Sequence, residues 1–255
     1  MMSSYEDLLF DVSNQVATIA INRPKTLNAI TDVTIRELEE AIIEAGNRQD
    51  VGVLVLTGIG DRAFSAGGDV NWEAKGGLRE LDFKINRMLA DCPKPIIARV
   101  NGYAIASGNH MAYYCDFTIA AEHAIFGQNG PRIGSPAAGH IVSHLAHIVG
   151  HKRAREMWML ARRYTAAQML EWGLVNAVVP KEQLDAEVAR WCDELLTLSP
   201  TCLKILKGSF RRIMDLTEPR DVVKAIAPNY FDTGEQQEGA DAFLEKRKPD
   251  FRRWR

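Results

Sequence analysis

Two uninterrupted apolar runs constrain the fold of this chain more than any other feature. One is VGVLVLTG, which begins at Val51, and the other is KPIIARVNGYAIA, which begins at Lys94. Both carry β-branched and aliphatic residues at successive positions, a pattern typical of strands that are buried on both faces. We therefore expect an α/β core, with each run forming one buried strand.

The remaining segments predict more strands first and then helices alone. LLFDVSNQVATIAINRP is typical of a β-hairpin that turns at Ser13-Asn14, and Thr31 can cap a following helix. DFTIAAE and AIFGQ predict two short strands. Helical spacing predicts these helices: Leu78–Asp91, Gly139–Val149, Lys152–Arg162, Thr165–Trp172 with a Thr165/Gln168 capping box, Lys181–Leu198, Pro200–Ile213 and a final set from Pro219. The pattern predicts one structural unit, with a core over residues 1–195 and a helical region over residues 196–255.

Composition excludes several functional classes. The 255 residues carry a formal net charge of -2, so no strong positive field attracts phosphates, apart from the basic end EKRKPDFRRWR. The N-terminus lacks a signal-peptide pattern, and no apolar stretch approaches the ~20 residues of a membrane span. The four cysteines form no CxxC pair. We expect a cytoplasmic protein with reduced thiols that binds neither nucleic acid nor membrane.

Two small-residue segments follow the buried runs and are candidates for chemistry. AFSAGGDV follows the first run, and IASG ends the second immediately before a predicted helix. Exposed backbone N–H groups in such turns can stabilise a developing oxyanion, and donors from two neighbouring strand ends can converge on one carbonyl oxygen. Each segment is equally consistent with a tight turn that needs small residues.

Together, these and other segments resemble the crotonase (enoyl-CoA hydratase/isomerase) superfamily. The resemblance runs in order through INRPKTLNAI, AFSAGGDV, IARVNGYAIASGNHMAYYCDFTIAAEHAIFGQ, YTAAQMLEWGLVNAVVP and AFLEKRKPDF. It implies a crotonase-like spiral of ββα units with a helical C-terminal trimerisation region. It also implies a homotrimer, or a hexamer formed as a dimer of trimers. The substrate it implies is an acyl-CoA thioester, with coenzyme A as part of the substrate and no separate cofactor or metal.

The resemblance also assigns residues to roles. The oxyanion donors that it implies are the backbone N–H groups of Ala66 and Ser107. Trp72 begins a segment that the resemblance places as a loop over the acyl pocket. Glu73 and Glu80 in this loop are acids without an assigned role. The implied contacts with coenzyme A are Lys25, Thr26, Leu27, Phe64, Ser65, Gly67, Gly68, Asp69, Phe243 and Lys246.

The chain departs from the hydratases where they keep two catalytic glutamates. Those positions hold His110 and Gly130, so hydration by a glutamate pair is not expected. FGQNGPRIGS and EGADAFLEKRKPDF resemble instead the branch of 1,4-dihydroxy-2-naphthoyl-CoA synthase and 2-ketocyclohexanecarboxyl-CoA hydrolase. In that branch a glycine replaces the glutamate, and some synthases recruit bicarbonate as a base.

The resemblance to that branch is incomplete at its acid and its tyrosine. The branch has Ser-x-Asp where this chain has Ser135-Pro136-Ala137, so the serine is kept and the carboxylate is lost. The branch tyrosine aligns with Phe231, and Tyr230 is its neighbour. Tyr230 is therefore a candidate substrate contact in an altered position.

The remaining candidates for proton transfer are few. A neutral His110 is suited to general base catalysis near pH 7, and Ser135 can orient a water or a carbonyl group. His140 and His144 share a helix face, but no carboxylate or cysteine completes a metal site there, and we assign only His140 to the pocket.

The sequence thus favours an acyl-CoA enzyme that stabilises a thioester enolate and breaks or makes a C–C bond in a cyclic or β-oxo acyl-CoA. One alternative is an enoyl-CoA hydratase or isomerase that uses His110. The other is a non-catalytic homologue that binds acyl-CoA.

Overall fold

Two β-sheets form the frame of the protein. The computed structural model describes residues 5–77, 84–211, 229 and 232–250. Within them, a six-stranded sheet has the order β1-β2-β3-β5-β7-β10, and a four-stranded sheet has the order β4-β6-β8-β9. The strands are β1 Leu8–Ser13, β2 Val16–Ile21, β3 Val53–Gly58, β4 Ala63–Ser65, β5 Ile96–Val100, β6 Tyr103–Ile105, β7 Phe117–Ala121, β8 Ile125–Gly127, β9 Arg163–Thr165 and β10 Ala177–Val179.

Helices follow the strands and cover both sheets. They are α1 Asp32–Asn47, α2 Val70–Ala74, α3 Lys84–Asp91, α4 Ser107–Tyr114, α5 Gly130–Ile133, α6 His140–Val149, α7 His151–Leu160, α8 Ala166–Glu171, α9 Leu184–Leu196, α10 Pro200–Arg211 and α11 Glu235–Leu244. Short 3-10 helices span Pro24–Thr26 and Lys181–Gln183. No helix among the described residues has the length and apolar character needed to cross a membrane.

β3 in the large sheet is buried on both faces, as the first apolar run predicted. In β3, Leu54 and Leu56 belong to a core cluster that includes residues of α1, whereas Val53 and Val55 belong to a second cluster that includes residues of α9. Because alternate side chains of a strand point to opposite faces, every position of this run meets apolar neighbours. That requirement explains why the run has no polar alternation.

A repeated ββα unit connects the two sheets. Within each of the pairs β3-β4, β5-β6 and β7-β8, the first strand joins the large sheet and the second joins the small one. The neighbouring pairs within each sheet are parallel. This arrangement confirms the predicted α/β class and its spiral of ββα units. It also places the carboxyl ends of β4 and β6 side by side.

Several predicted elements need correction. The second apolar run is not one strand, because Asn101-Gly102 breaks it into β5 and β6 and sends the two halves into different sheets. A β-carbon on Gly102 would lie 2.3 Å from the carbonyl oxygen of Arg62, so only glycine permits this bend. The hairpin turns at Asn14-Gln15 rather than one residue earlier, since both residues adopt the positive φ that such a two-residue turn requires.

The other differences concern short elements and element ends. The sequence did not predict β4, β9, β10, α2 or α5, each of which has six residues or fewer. Both predicted caps are present, at Thr31 and at the Thr165/Gln168 capping box. The four cysteines are free thiols: Cys92, Cys115, Cys192 and Cys202. Parts of the predicted helices that begin at Leu78 and Pro219 lie outside the described residues.

The last described helix returns to the middle of the molecule. α11 packs against α2 and α5. Gly239 of α11 approaches Ile133 so closely that a β-carbon on it would lie 2.3 Å from the Ile133 carbonyl carbon. α11 is therefore part of the wall around the ends of β4 and β6.

Candidate active site

A cavity of about 250 Å³ lies where the loops after β4 and β6 meet. The short helices α2 and α5 and the end of α11 form its remaining walls. Most of its surface is apolar, and a few polar groups interrupt it. Its lining consists of Thr26, Leu27, Ala29, Ile30, Ile35, Ala66, Gly68, Asp69, Val70, Asn71, Trp72, Glu73, Ala106, Ser107, His110, Gln128, Asn129, Gly130, Ile133, Ser135, Pro136, Ala137, Trp158, Phe243 and Leu244.

The backbone N–H groups of Gly68 and Ser107 lie beside this cavity and have no acceptor among the described residues. The neighbours of Gly68, Gly67 and Asp69, are engaged with Ile30 through the Gly67 carbonyl and the Asp69 N–H. Ser107 is the first residue of α4, where an α-helix leaves its N–H groups unpaired. Two such donors at one cavity can hold a single carbonyl or anionic oxygen.

This geometry corrects one predicted donor. The N–H of Ala66 donates to the carbonyl oxygen of Leu27 at 3.0 Å, so it is already satisfied within the fold. Ala66 lines the cavity, but the free donor of this loop is two residues further on, at Gly68. Hydrogen bonding between the loop and the segment at residue 27 was not visible in the sequence.

The backbone around the two donors is tightly constrained. Gly67 has a φ of +97°, and a β-carbon on it would lie 2.8 Å from that of Ala106 and 3.4 Å from the Ser107 nitrogen. Ala106 itself has a φ of 50° and a ψ of -117°, a conformation that residues with a side chain rarely adopt. The first loop therefore presses directly against the start of α4, and this contact fixes the position of the Ser107 N–H.

A carboxyl group, Glu73, lies next to the first donor. Asp69 caps α2 by accepting from the N–H groups of Asn71 and Trp72, and the Glu73 N–H donates to the Asp69 carbonyl oxygen at 2.9 Å. This single turn carries Glu73 back over the loop, so that a β-carbon on Gly68 would lie 1.9 Å from Oε1 of Glu73. A side chain at position 68 would displace the end of the Glu73 side chain from this place.

Burial changes the acidity of Glu73. Its side chain is 4% exposed, and loss of hydration raises the pKa of Glu73 to about 7. A hydrogen bond from the Ser135 side chain works in the opposite direction, and the negative charge of Asp69 raises the pKa further. A carboxyl group with this pKa exchanges protons readily at neutral pH.

His110 faces the cavity from α4, and burial weakens it as a base. Its Nε2 lies 3.1 Å from Oε1 of Gln128, and its ring packs against Trp158 at 5.3 Å between centroids. Burial lowers the pKa of His110 to about 4, although the Gln128 contact opposes the shift and His140 adds to it. The imidazole is therefore neutral across the physiological pH range.

The opposite wall is built by α5 and α11. Gly130 begins α5, and a β-carbon on it would lie 2.5 Å from the carbonyl oxygen of Ser135. That close approach leaves no room for a glutamate in this conformation. Phe243 of α11 lines the cavity with about half of its surface exposed.

Several predicted site residues do not line the cavity. Phe64 and Ser65 are fully buried in β4, and the Ser65 hydroxyl accepts from the Gly67 N–H at 3.2 Å. His140 is buried in an edge-on ring contact with Tyr114, with centroids 5.9 Å apart, because the first turn of α6 faces α4 rather than the cavity. These positions shape or support the loops, and Gly67 acts in the same way.

The predicted coenzyme A contacts near the two lysines fall into two groups. Thr26 and Leu27 line the cavity, whereas Lys25 and Lys246 are exposed and outside its lining. Tyr230 and its neighbour Phe231 lie outside the described residues.

Sequence reasoning missed four groups that the structure brings to the cavity. Glu73 was noted without a role, while Gln128, Asn129 and Trp158 were not considered. For Glu73, the only available signal was Asp69, a residue type favoured at the N-cap of a helix, which indicated that a helix begins after the glycine loop.

Comparisons with known proteins agree with this arrangement. A family model described as enoyl-CoA hydratase/isomerase matches residues 11–253. The structure of a methylmalonyl-CoA decarboxylase in complex with 2-nitronate-propionyl-CoA is similar at a TM-score of 0.86 and 27% identity, over 97% of this chain and 99% of that one.

Two structures of enoyl-CoA hydratases are also similar. One, from Mycobacterium avium subsp. paratuberculosis K-10, has a TM-score of 0.81 and 29% identity, over 97% of this chain and 99% of that one. The other, subunit I from Geobacillus kaustophilus HTA426, has a TM-score of 0.78 and 32% identity, over 98% and 99%. With its ββα spiral and a family match that spans nearly its whole length, the chain belongs to the enoyl-CoA hydratase/isomerase family of the crotonase superfamily.

Proposed function

We propose that this protein is an enzyme that cleaves a C–C bond in a β-oxo or cyclic β-oxo acyl-CoA through a thioester enolate. The observation that carries the proposal is the pair of N–H groups at Gly68 and Ser107, which have no acceptor among the described residues and lie beside one cavity. The thioester oxygen gains negative charge as the enolate forms. Donors placed at that oxygen favour the transition state more than the ground state.

The positions around the cavity suit a coenzyme A thioester. Thr26 and Leu27 lie at its edge, and the exposed Lys25 next to them supplies a positive charge for the phosphates. Phe243 covers the cavity from α11. We propose that the pantetheine arm passes between these segments and delivers the thioester to the two donors.

The other side of the cavity favours C–C cleavage over hydration by paired glutamates. The two positions at which hydratases carry glutamate hold His110 and Gly130 in this chain. His110 has a pKa of about 4 and is a weak base at neutral pH, and the backbone leaves no space for a side chain at Gly130. The similarity to a methylmalonyl-CoA decarboxylase also supports cleavage, since decarboxylation breaks the C–C bond next to the α-carbon.

The proposed reaction balances with one water molecule. Water adds to the β-carbonyl group, and the bond between that carbon and the α-carbon breaks. The electron pair of the broken bond passes to the α-carbon and the thioester oxygen, where Gly68 and Ser107 donate. One fragment leaves as a carboxylic acid, and the α-carbon takes up the proton that the water lost. The products are a carboxylic acid and a shorter acyl-CoA, or one ring-opened product from a cyclic substrate.

A second candidate function is hydration or isomerisation of an enoyl-CoA. The similarity to two enoyl-CoA hydratases, at 29% and 32% identity, favours it. It uses the same oxyanion donors, because an enolate also forms when water adds to the β-carbon or a proton shifts along the chain.

Mass spectrometry of products from a panel of acyl-CoAs distinguishes these functions. The panel contains 2-oxocyclohexanecarboxyl-CoA, methylmalonyl-CoA and crotonyl-CoA. Addition of 18 Da with ring opening supports the proposal, and hydration of crotonyl-CoA alone supports the second candidate. Binding of acyl-CoA without turnover of any member would contradict both and indicate a non-catalytic homologue.

A proline variant tests the oxyanion donors in the same assay. Ser107→Pro removes one N–H at the first residue of α4, the helical position at which proline is most common. We expect a loss of about 10²–10³-fold in rate. Asp32→Pro is the matched control, since Asp32 is the exposed first residue of α1 and does not line the cavity. Full activity in Ser107→Pro would refute the assignment.

A further inference from the structure

We propose that Glu73 is the catalytic acid and base that moves the proton at the substrate's α-carbon, a role that rests on the function proposed above. The sequence left the source of this proton open, because the residues that relatives use are absent at positions 110, 130 and 137. The structure brings a different carboxyl group, from the turn after the first oxyanion loop, to the same cavity. No recruited ion is then needed as a base.

The position of Glu73 relative to the donor is the first support. Its Oε1 would lie 1.9 Å from a β-carbon built on Gly68, so the carboxyl group sits directly against the residue that donates to the thioester oxygen. In a thioester, the α-carbon and the oxygen are attached to the same carbonyl carbon. A group beside the oxygen donor is therefore within reach of the α-carbon as well.

The way Glu73 is held is the second support. α2 is a single turn fixed by the Asp69 cap, and the Ser135 side chain lies close enough to the carboxyl group to lower its pKa. From α11, Nε2 of Gln236 donates to the backbone carbonyl of Glu73 at 3.4 Å. Three separate segments thus orient one buried carboxyl group that has no ion-pair partner among the described residues. A structural carboxylate at this depth is expected to have a cation or backbone N–H groups as partners, as Glu37 has in the N–H groups of Glu6 and Asp7.

The electrostatic surroundings keep Glu73 near its midpoint. The negative charge of Asp69 raises the pKa of Glu73, and the Asp69 carboxylate is itself paired with Arg23 at 3.4 Å. His110, which also lines the cavity, is neutral. On α5, Arg132 donates to the carbonyl oxygen of Ala161 rather than toward the cavity. The pKa of Glu73 is therefore about 7, which suits a group that must both accept and donate a proton.

In the proposed cycle one carboxyl group performs both transfers. The Glu73 carboxylate takes a proton from the water that attacks the β-carbonyl group, and it becomes a carboxylic acid. After the C–C bond breaks, the acid gives that proton to the α-carbon of the enolate. Glu73 returns to the carboxylate form, and no further acid or base is consumed. Ser135 is a positioning residue in this scheme because it acts only through its hydrogen bond to Glu73.

The test measures exchange of the α-proton, which needs no knowledge of the natural substrate. Propionyl-CoA is incubated with the protein in D₂O, and its mass is followed. We expect wild-type protein to add deuterium at the α-carbon and Glu73→Gln to exchange at least about 100-fold more slowly, with unchanged binding of propionyl-CoA. Glu73→Asp keeps the acid but shortens it, and its rate should lie between the two.

Glu37→Gln is the matched control. Glu37 is another buried glutamate, and its two oxygens accept from the N–H groups of Glu6 and Asp7 outside the cavity. This variant should lose thermal stability and keep the wild-type exchange rate. A large loss of exchange in Glu37→Gln would mean that burial of a neutral amide, not loss of the α-carbon base, explains the effect of Glu73→Gln.

The outcomes separate the two proposals. Wild-type exchange in Glu73→Gln together with lost exchange in Ser107→Pro would overturn the role of Glu73 and leave the enolate function intact. No exchange by wild-type protein that binds propionyl-CoA would overturn the enolate function and with it the role of Glu73. Slow exchange in Glu73→Gln and in Ser107→Pro supports both.

Discussion

Glu73 and His110 line one cavity, and burial acts on them in opposite ways. Each side chain is 4% exposed. Loss of hydration disfavours the charged form, so it raises the pKa of the acid to about 7 and lowers the pKa of the histidine to about 4. The first shift brings the pKa of Glu73 close to neutral pH, and the second moves the pKa of His110 away from it.

The comparison shows that residue type alone does not identify a base. Histidine is the usual choice for proton transfer near pH 7, but only when water or a charged partner supports its cationic form. His110 has an amide and aromatic rings as its neighbours. Glu73 is a poor base when exposed, and it becomes a suitable one through the same dry environment.

The largest expected effect comes from adding a methyl group at position 68, next to the Glu73 carboxyl group. Gly68→Ala puts a β-carbon 1.9 Å from Oε1 of Glu73, so the carboxyl group or the loop must move. We expect a loss of about 10²-fold or more in α-proton exchange, because the acid is displaced from beside the donor. Gly208→Ala, at an exposed helical site with open space, is the control. Less than tenfold loss in Gly68→Ala would break the proposed geometry.

The next effect concerns stability and has a definite sign. The folded-state pKa of Glu73 is raised from 4.5 to about 7, so the folded protein binds this proton more tightly and loses stability as pH rises through that interval. The cost reaches about 3 kcal/mol above pH 7. Glu73→Gln removes the titration. Urea unfolding at pH 4.5 and pH 8 should show the wild type losing about that much relative to the variant, and equal pH dependence would contradict the shift.

A smaller effect is expected from the serine that contacts the acid. The hydrogen bond from Ser135 favours the charged form of Glu73, so Ser135→Ala should raise the pKa of Glu73 further. The acid limb of the pH–rate profile then moves to higher pH, and the rate at pH 7 falls several-fold with little change in KM. An unchanged limb, or a change in KM alone, would mean that Ser135 contacts the substrate instead.

The smallest effect is expected on the histidine side. His110→Gln should lower the rate by less than about tenfold and leave the pH–rate profile unshifted, because a group with a pKa of about 4 does not titrate near neutrality. The exposed His151→Gln is the control for loss of a histidine. A loss above 100-fold, or a shifted pH–rate profile, would indicate that His110 rather than Glu73 is the base.

The fold was predictable because its signals are local and strong. The runs at Val51 and Lys94 showed buried strands, and the turn residues and the caps at Thr31 and Thr165 showed where elements begin. The short strands β4, β9 and β10 were missed because three residues are too few to show a period. Their existence depends on neighbours that are distant in sequence.

The candidate site was predictable only in part, for a related reason. Ser107 could be found because a helix start leaves its N–H unpaired. The sequence predicted the donor at Ala66 rather than at Gly68. The difference depends on the hydrogen bond from the Ala66 N–H to Leu27, which is 39 positions away in the chain. Glu73 was left without a role because its pKa follows from burial by α5 and α11, which no local pattern reports.

The contact between Gly68 and Glu73 has a consequence for reading related sequences. A side chain at 68 would overlap the Glu73 carboxyl group and displace it from this place. Natural chains should therefore vary at the two positions together, with glycine accompanying the acid and larger residues accompanying its loss. That paired signature would let genomes be sorted into those that encode this arrangement and those that encode another member of the superfamily.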